Sequence, residues 1–240
     1  MRVMDKRGVQ RALGVRVDGA FGMLSYKALL TFAAYGREPK DVSKMALLCA
    51  TMFSKYAIDA SIDRLGQFLA TTSHETGNYT AFAEDLYYTT PARVVKNWPS
   101  RFNLLTATAV LRNPRKLAEK VYGYEGRHGT KYDLGNREGT SDAYDMRGGG
   151  WIQTTGYSNY LAAQKVTGLP LVDNPELLHD PLSSIEPACA YWRGVGCNEL
   201  ADADWSGRRA RIKVNGGVIG LDDVQVRLKR LLVLLSSKEK

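Results

Sequence analysis

The chain is poor in cysteine, in histidine and in long apolar runs, and each shortage excludes a class of protein. Three cysteines in 240 residues, Cys49, Cys189 and Cys197, make no disulfide framework. No thiol signature surrounds them, so they read as small buried apolar side chains. No apolar stretch approaches the roughly 18 residues of a membrane-spanning helix. The opening MRVMDKRGVQ lacks the apolar core of a secretory signal, which predicts synthesis and residence in the cytoplasm unless another agent provides an exit. There is no internal repeat, no low-complexity tract and little strand-like alternation. With three histidines, a metal centre would need a spaced pair. His74-Glu75 opens the two-histidine zinc-helix pattern, but Asn78 stands where the second histidine would be, and no metal is expected.

What is present is a core-forming composition, 44% apolar, with a formal net charge of +8. Such a surface suits polyanions: nucleic acid, anionic lipid or bacterial wall polymers. The basic residues are scattered, and Arg208-Arg209-Ala210-Arg211 is the nearest approach to a run. A nucleic-acid interface would cluster them on one element with aromatic partners, so none is expected.

Helical spacing dominates. A helix-turn-helix is predicted over residues 8 to 33, with turn signals at Asp18-Gly19 and Phe21-Gly22 and Ser25 as a cap. Gly36-Arg37-Glu38-Pro39-Lys40 reads as a boundary. Helix resumes near Ser43, and a further helix begins at Ser61-Ile62-Asp63 and reaches Glu75, where Gly77 and Asn78 stop it. Later helices are predicted over 157 to 167, Ile185 to Val195 and Leu221 to Leu235. Residues 123 to 143, rich in Gly, Asp, Asn and Thr, form a long loop of the kind that tends to be functional. It leads into Gly148-Gly149-Gly150, where backbone can approach a neighbour closely. Trp151-Ile152-Gln153 follows those glycines instead of Lys-Ser/Thr, which excludes a phosphate-cradling loop.

Chemistry concentrates around SHETGNYTAFAEDLYY. A carboxylate at the end of a buried helix, Glu75, is expected to have its pKa raised by burial, as a general acid requires. Glu84 follows past a turn. Two carboxylates in different environments are what glycosidic cleavage demands.

Four segments line up in order: FLATTSHETGNYTAFAEDLYY, RGGGWIQTTGYSNY, DNPELLHDP and IKVNGG. Over roughly residues 43 to 235 the chain resembles glycoside hydrolase family 19, the chitinase-like lysozymes, in the compact form used by phage endolysins. Gln10, Leu13-Gly14-Val15, Val17-Asp18-Gly19 and Phe21-Gly22 resemble about half of the type 1 peptidoglycan-binding module. The resemblance implies a mainly α protein with two parts. Residues 1–36 would be a small helical wall-binding module, and residues 37–240 a lysozyme-like two-lobed catalytic domain. It implies inverting hydrolysis of β-1,4 bonds in bacterial peptidoglycan for host lysis, without a cofactor, by a monomer. The enzyme would be made in the host cytoplasm and reach the wall from the periplasmic side after holin-dependent release.

Carried over by position, Glu75 matches the general acid and Glu84 the second carboxylate, with Asp85 its competitor. Thr155 stands where plant relatives hold the attacking water with a serine. Gln153, Asn159 and Asn215 match substrate-binding polar positions, and Tyr87 or Tyr88 would support a sugar ring. The Gly-Arg-Gly usual before Ile-Gln is Gly148-Gly149-Gly150 here, so one basic contact is missing. A chitinase and a non-catalytic wall binder are the alternatives. The wall-binding half-module speaks against the first, and the presence of both carboxylates against the second.

Overall fold

The computed structural model describes residues 1–239, and every regular element among them is helical. In chain order these are α1 (Lys6–Ala12), α2 (Met23–Ala33), α3 (Val42–Lys55), α4 (Ile62–Glu75), α5 (Pro91–Asn97), α6 (Leu104–Thr108) and α7 (Pro114–Tyr122). They continue as α8 (Asp142–Asp145), α9 (Tyr157–Thr167), α10 (Glu176–His179), α11 (Ile185–Gly194), α12 (Cys197–Ala203), α13 (Arg208–Asn215) and α14 (Leu221–Leu235). The mainly α class is as expected. By contacts the chain divides into two compact units. Unit 1 is built from Met1–Phe82, Gly150–Ile152 and the chain from Asp180 onward, and unit 2 from Ala83–Gly149 and Gln153–His179.

Helix α4 is the buried axis of unit 1. Ser61 caps it by accepting from the Arg64 amide, and from Ile62 to Ser73 every residue except Arg64 is buried. A helix enclosed on all sides satisfies most of its polar side-chain atoms internally, Gln67 Oε1 being a buried exception. Thr72 and Ser73 donate back to the Phe68 and Ala70 carbonyls, and Gln67 donates to the Asp204 carbonyl. Gly66 lets α14 lie close, since a Cβ there would sit 3.2 Å from Leu232 and 3.3 Å from Leu228. Phe68 is the centre of an aromatic cluster. It meets Phe53 and Trp192 edge-on at 5.3 and 5.4 Å and stacks on Trp151 at 6.4 Å. Burying a side chain of that size contributes about 1.5–3 kcal/mol.

The N-terminal segment belongs to this core. Val9, Tyr26, Leu29 and Leu30 pack in the same cluster as Phe53 and Phe68, and α2 packs on α3. The division between units therefore does not fall at the Gly36–Lys40 punctuation: α1 and α2 are too short to enclose apolar faces of their own, which they bury on neighbouring helices. The Val17-Asp18-Gly19 turn is organised by the buried Gln10, which donates to Asp18, the Ala20 carbonyl and Ser25 and accepts from the Asp18 and Gly19 amides. This corrects the cap assignment. Gly22 is the N-cap of α2, and Ser25 lies inside the helix, buried against Gln10.

Unit 2 has two smaller clusters, one around Leu86, Val94, Phe102, Leu117 and Val121, the other around Met146, Tyr160, Leu171 and Leu178. The glycine-rich loop before α8 is pinned by the buried Asn136, which donates to the Tyr122 carbonyl and accepts from the Tyr157 amide, both at 2.8 Å. Arg137 and Asp142 clasp its far end through two side-chain hydrogen bonds of 2.9 Å. The three cysteines are free and buried, as expected. Burial pushes every thiol up, Cys197 to about 12, which removes them from thiolate chemistry. Among the described residues no helix is long and apolar enough to cross a membrane, and no group of side chains could hold a metal ion.

Candidate active site

In unit 1, Glu75 is the last residue of α4. Three successive left-handed residues, Gly77, Asn78 and Tyr79, turn the chain immediately after it. Tyr79 is the costly one, and its strain is offset by complete burial against Trp151 at 4.9 Å and a hydroxyl contact with Thr72. The Glu75 carboxylate pairs with the Arg211 guanidinium, which α13 brings in. Arg211 is itself held by the Ile219 carbonyl, to which Nε and Nη2 donate at 3.1 and 2.7 Å. Beside it Gly220, at φ +74, packs so closely that a Cβ would fall 2.3 Å from His74 Nε2. His74 Nδ1 meets Asp223 Oδ2 at 2.6 Å, and Arg227 Nε donates to the same oxygen at 2.6 Å. Burial would raise the Asp223 carboxyl, but its bonds from Arg227 and His74 outweigh that and hold it low. Asn215, the final residue of α13, is exposed.

In unit 2, Glu84 lies on an extended segment clasped to the glycine turn. Its amide donates to the Gly148 carbonyl at 2.8 Å, and Arg147 Nε donates to its carbonyl at 3.1 Å. Its carboxyl is gripped at both oxygens. Tyr122 Oη donates to Oε1 at 2.8 Å and the Gly148 amide to Oε2 at 3.3 Å. Burial raises this carboxyl above its ordinary value, and the Tyr122 and Gly148 bonds with the Arg147 charge reduce the rise without cancelling it. A carboxyl raised by burial is thus found at Glu84. Glu75 meets an arginine delivered from a distant helix, whereas Glu84 is backed by a phenol and a backbone turn.

The close approach anticipated at the three glycines is real. A Cβ at Gly148 would lie 2.9 Å from Gln153 Oε1 and 3.4 Å from Glu84 Cβ. Gln153, at φ +53, reverses the chain beside Glu84. Thr155 Oγ1 donates to the Gln153 carbonyl at 2.9 Å, which leaves the hydroxyl lone pairs as acceptors. Asn159, exposed, donates to the Thr155 carbonyl at 2.8 Å. Tyr87 is exposed. Tyr88 is corrected: its ring is buried edge-on to Trp98 at 5.6 Å and its hydroxyl accepts from Asn97, so it is core and offers no face to a sugar. Asp85 is exposed and caps its own turn by accepting from the Tyr87 amide.

No protein-family model matches the chain. A curated protein of Haemophilus influenzae, described as a glycosyl hydrolase family 19 domain-containing protein, is 32% identical over 191 residues, 74% of this chain and 86% of that one. The chain belongs to glycosyl hydrolase family 19. Its activity is therefore hydrolysis of glycosidic bonds in a glycan. A crystal structure of a chitinase C mutant shares 16% identity and a TM-score of 0.45, covering 98% of this chain and 77% of that one.

For a family 19 hydrolase the two gripped carboxyls are the natural centre of attention, and sequence reasoning missed what grips them. Arg211 was visible only as part of the basic run on α13, although its burial at the step after Ala210 is what an inward-facing helical position produces. Tyr122, the last residue of α7, carried no local signal.

Proposed function

We propose that this hydrolase cleaves the β-1,4 bonds of peptidoglycan glycan strands with inversion, as the lysis enzyme of a bacteriophage. The observation that carries the catalytic part is the contrast between two carboxyls, Glu75 on a guanidinium and Glu84 raised by burial behind a phenol. In its protonated form Glu75 gives a proton to the leaving oxygen, and Glu84, ionised, takes one from the water that attacks the opposite face of the sugar. A base whose pKa is raised toward the working pH is a stronger base while still ionised. Thr155 accepts a hydrogen bond from that water. Gln153, Asn159 and Asn215 bind N-acetylated sugars, and the exposed Tyr87 supports a ring.

The raised Glu84 also favours a second pairing, with Glu84 as donor and Glu75 as base. Aryl glycosides with good leaving groups separate the two, because they relieve the loss of an acid but not of a base. Activity on them survives in Glu75→Gln under the first pairing and in Glu84→Gln under the second.

Wall attachment is assigned to residues 1–36 acting as a face of unit 1, with the positive surface drawing the enzyme to an anionic wall. In this reading the chain is a monomer without cofactor, made in the host cytoplasm and released to the wall by a holin. The deciding experiment incubates the protein with purified peptidoglycan and, separately, with chitin oligomers, reading reducing ends by mass spectrometry and the anomer by NMR. Cleavage confined to chitin would replace the substrate, a β-anomer as first product would exclude inversion, and no cleavage of either would leave a wall binder.

A further inference from the structure

Beneath the glycine turn lies a chain of polar side chains that the catalytic reading does not use. Gly149 rests on it directly: a Cβ there would fall 2.7 Å from His179 Cδ2 and 2.9 Å from Tyr160 Oη. The Tyr160 hydroxyl, fully buried, donates to the Arg147 carbonyl at 2.9 Å and meets His179 Nε2 at 3.2 Å. His179, whose side chain is 5% exposed, turns Nδ1 to the Glu176 carboxylate at 3.0 Å. The line therefore runs from an exposed carboxylate, through an imidazole and a phenol, to the carbonyl of Arg147. Arg147 and Gly148 are the residues that hold Glu84 through its carbonyl and its Oε2.

Counting protons gives this line two states. Tyr160 has one hydroxyl proton, and burial keeps it on by raising the phenol. With that proton on the Arg147 carbonyl, His179 Nε2 must be the donor toward Tyr160. Nδ1 faces the Glu176 carboxylate, so in this arrangement both ring nitrogens donate. When His179 loses a proton, Nδ1 keeps its own for Glu176, and Nε2 becomes an acceptor that draws the Tyr160 proton away from Arg147. The charged groups acting on the pair are Glu176, on both the imidazole and the phenol, with Arg147 and Glu84 on the phenol.

We propose that His179 is a positioning residue for Glu84. In its protonated form it ties the Arg147 carbonyl down through Tyr160 and so keeps the Gly148 amide on the Glu84 carboxyl. Its importance for cleavage rests on the reading of Glu84 as a working carboxyl, but the switch itself does not. The activity test is the pH profile of kcat on a soluble oligosaccharide. Wild type shows an alkaline limb set by His179. Glu176→Gln, which removes the anion that Nδ1 faces, moves that limb to lower pH. His179→Gln, whose amide can still donate to Tyr160 but cannot titrate, lacks the limb. His179→Phe, without any donor, loses kcat roughly tenfold at every pH with KM little changed.

A second measurement needs no turnover. In NMR titrations of the intact chain, the imidazole nitrogens of His179 pass from doubly protonated to the Nδ1–H form. The Gly148 amide shows the same upper inflection, which moves in Glu176→Gln and vanishes in His179→Gln. A neutral ring protonated at Nε2, or a Gly148 amide indifferent to His179, overturns the proposal. If wild type cleaves no glycan while these titrations behave as described, the proposed function falls and the switch stands.

Discussion

Tyr122→Phe removes one hydroxyl from beneath Glu84 and leaves the ring in place. That hydroxyl donates to Oε1 at 2.8 Å and favours the ionised carboxylate, opposing the burial that raises it. A hydrogen bond to a charged acceptor contributes about 1.5–3 kcal/mol. At about 1.4 kcal/mol per pKa unit, its loss moves the Glu84 carboxyl up by about 1–2 units, toward the lower figure where water enters the vacated place. The assay is the pH profile of kcat/KM on a soluble oligosaccharide, with circular dichroism to confirm the fold. With Glu84 as base, the acid limb of the profile moves up by that amount. Below the limb the rate falls roughly tenfold per unit, and above it the rate is unchanged. With Glu84 as donor, the alkaline limb moves up instead. A folded variant whose two limbs both stay in place would refute the link between Tyr122 and a working Glu84 carboxyl.

Three other outcomes follow from the same contacts. Because the folded state raises Glu84, its contribution to stability is present below the unfolded carboxyl pKa and is lost as pH rises through the folded value. Glu84→Gln should therefore melt higher than wild type at neutral pH, with the gap closing below about pH 4. Gly149→Ala drives a methyl into His179 and Tyr160 and should cost about 1–3 kcal/mol in urea unfolding, whereas Gly126→Ala has open space but a left-handed backbone and should cost less. Ellman's reagent should leave all three cysteines of the native protein untouched and label them in denaturant.

The sequence made some elements readable almost to the residue. The end of α4 at Glu75, α9 over Tyr157–Thr167 and α14 over Leu221–Leu235 all follow from apolar spacing bounded by glycine or a left-handed stop. The close approach at Gly148–Gly150 was legible because nothing but a missing Cβ permits it. Short α6 and α12 were missed because too few apolar residues recur in them to show a period. Tyr87 and Tyr88 look alike in sequence, and only the packing of Val94 and Trp98 around the second tells them apart. The partners of the carboxyls were out of reach for a different reason. Arg211 lies 136 residues from Glu75, and Tyr122 lies 38 from Glu84, so neither pairing leaves a local pattern. The Gly36–Lys40 punctuation marks a real loop, but whether a loop separates domains depends on where Leu29 and Leu30 are buried, which no loop composition records.

The interleaving of unit 1 has a consequence for the order in which the protein comes into being. Its core needs Trp151, which arrives between the two stretches of unit 2, and it needs α14 against α4. Near the start of the chain, Asp5 accepts from the Glu239 amide and Gly8 lies against the backbone of Lys238. On a ribosome, unit 2 is fully synthesised at His179, about thirty residues before Arg211 and about sixty before Glu239. Glu84 can thus be seated while Glu75 still lacks Arg211. A nascent chain stalled before α13 would carry one finished carboxyl environment, that of Glu84, and one unmade, that of Glu75.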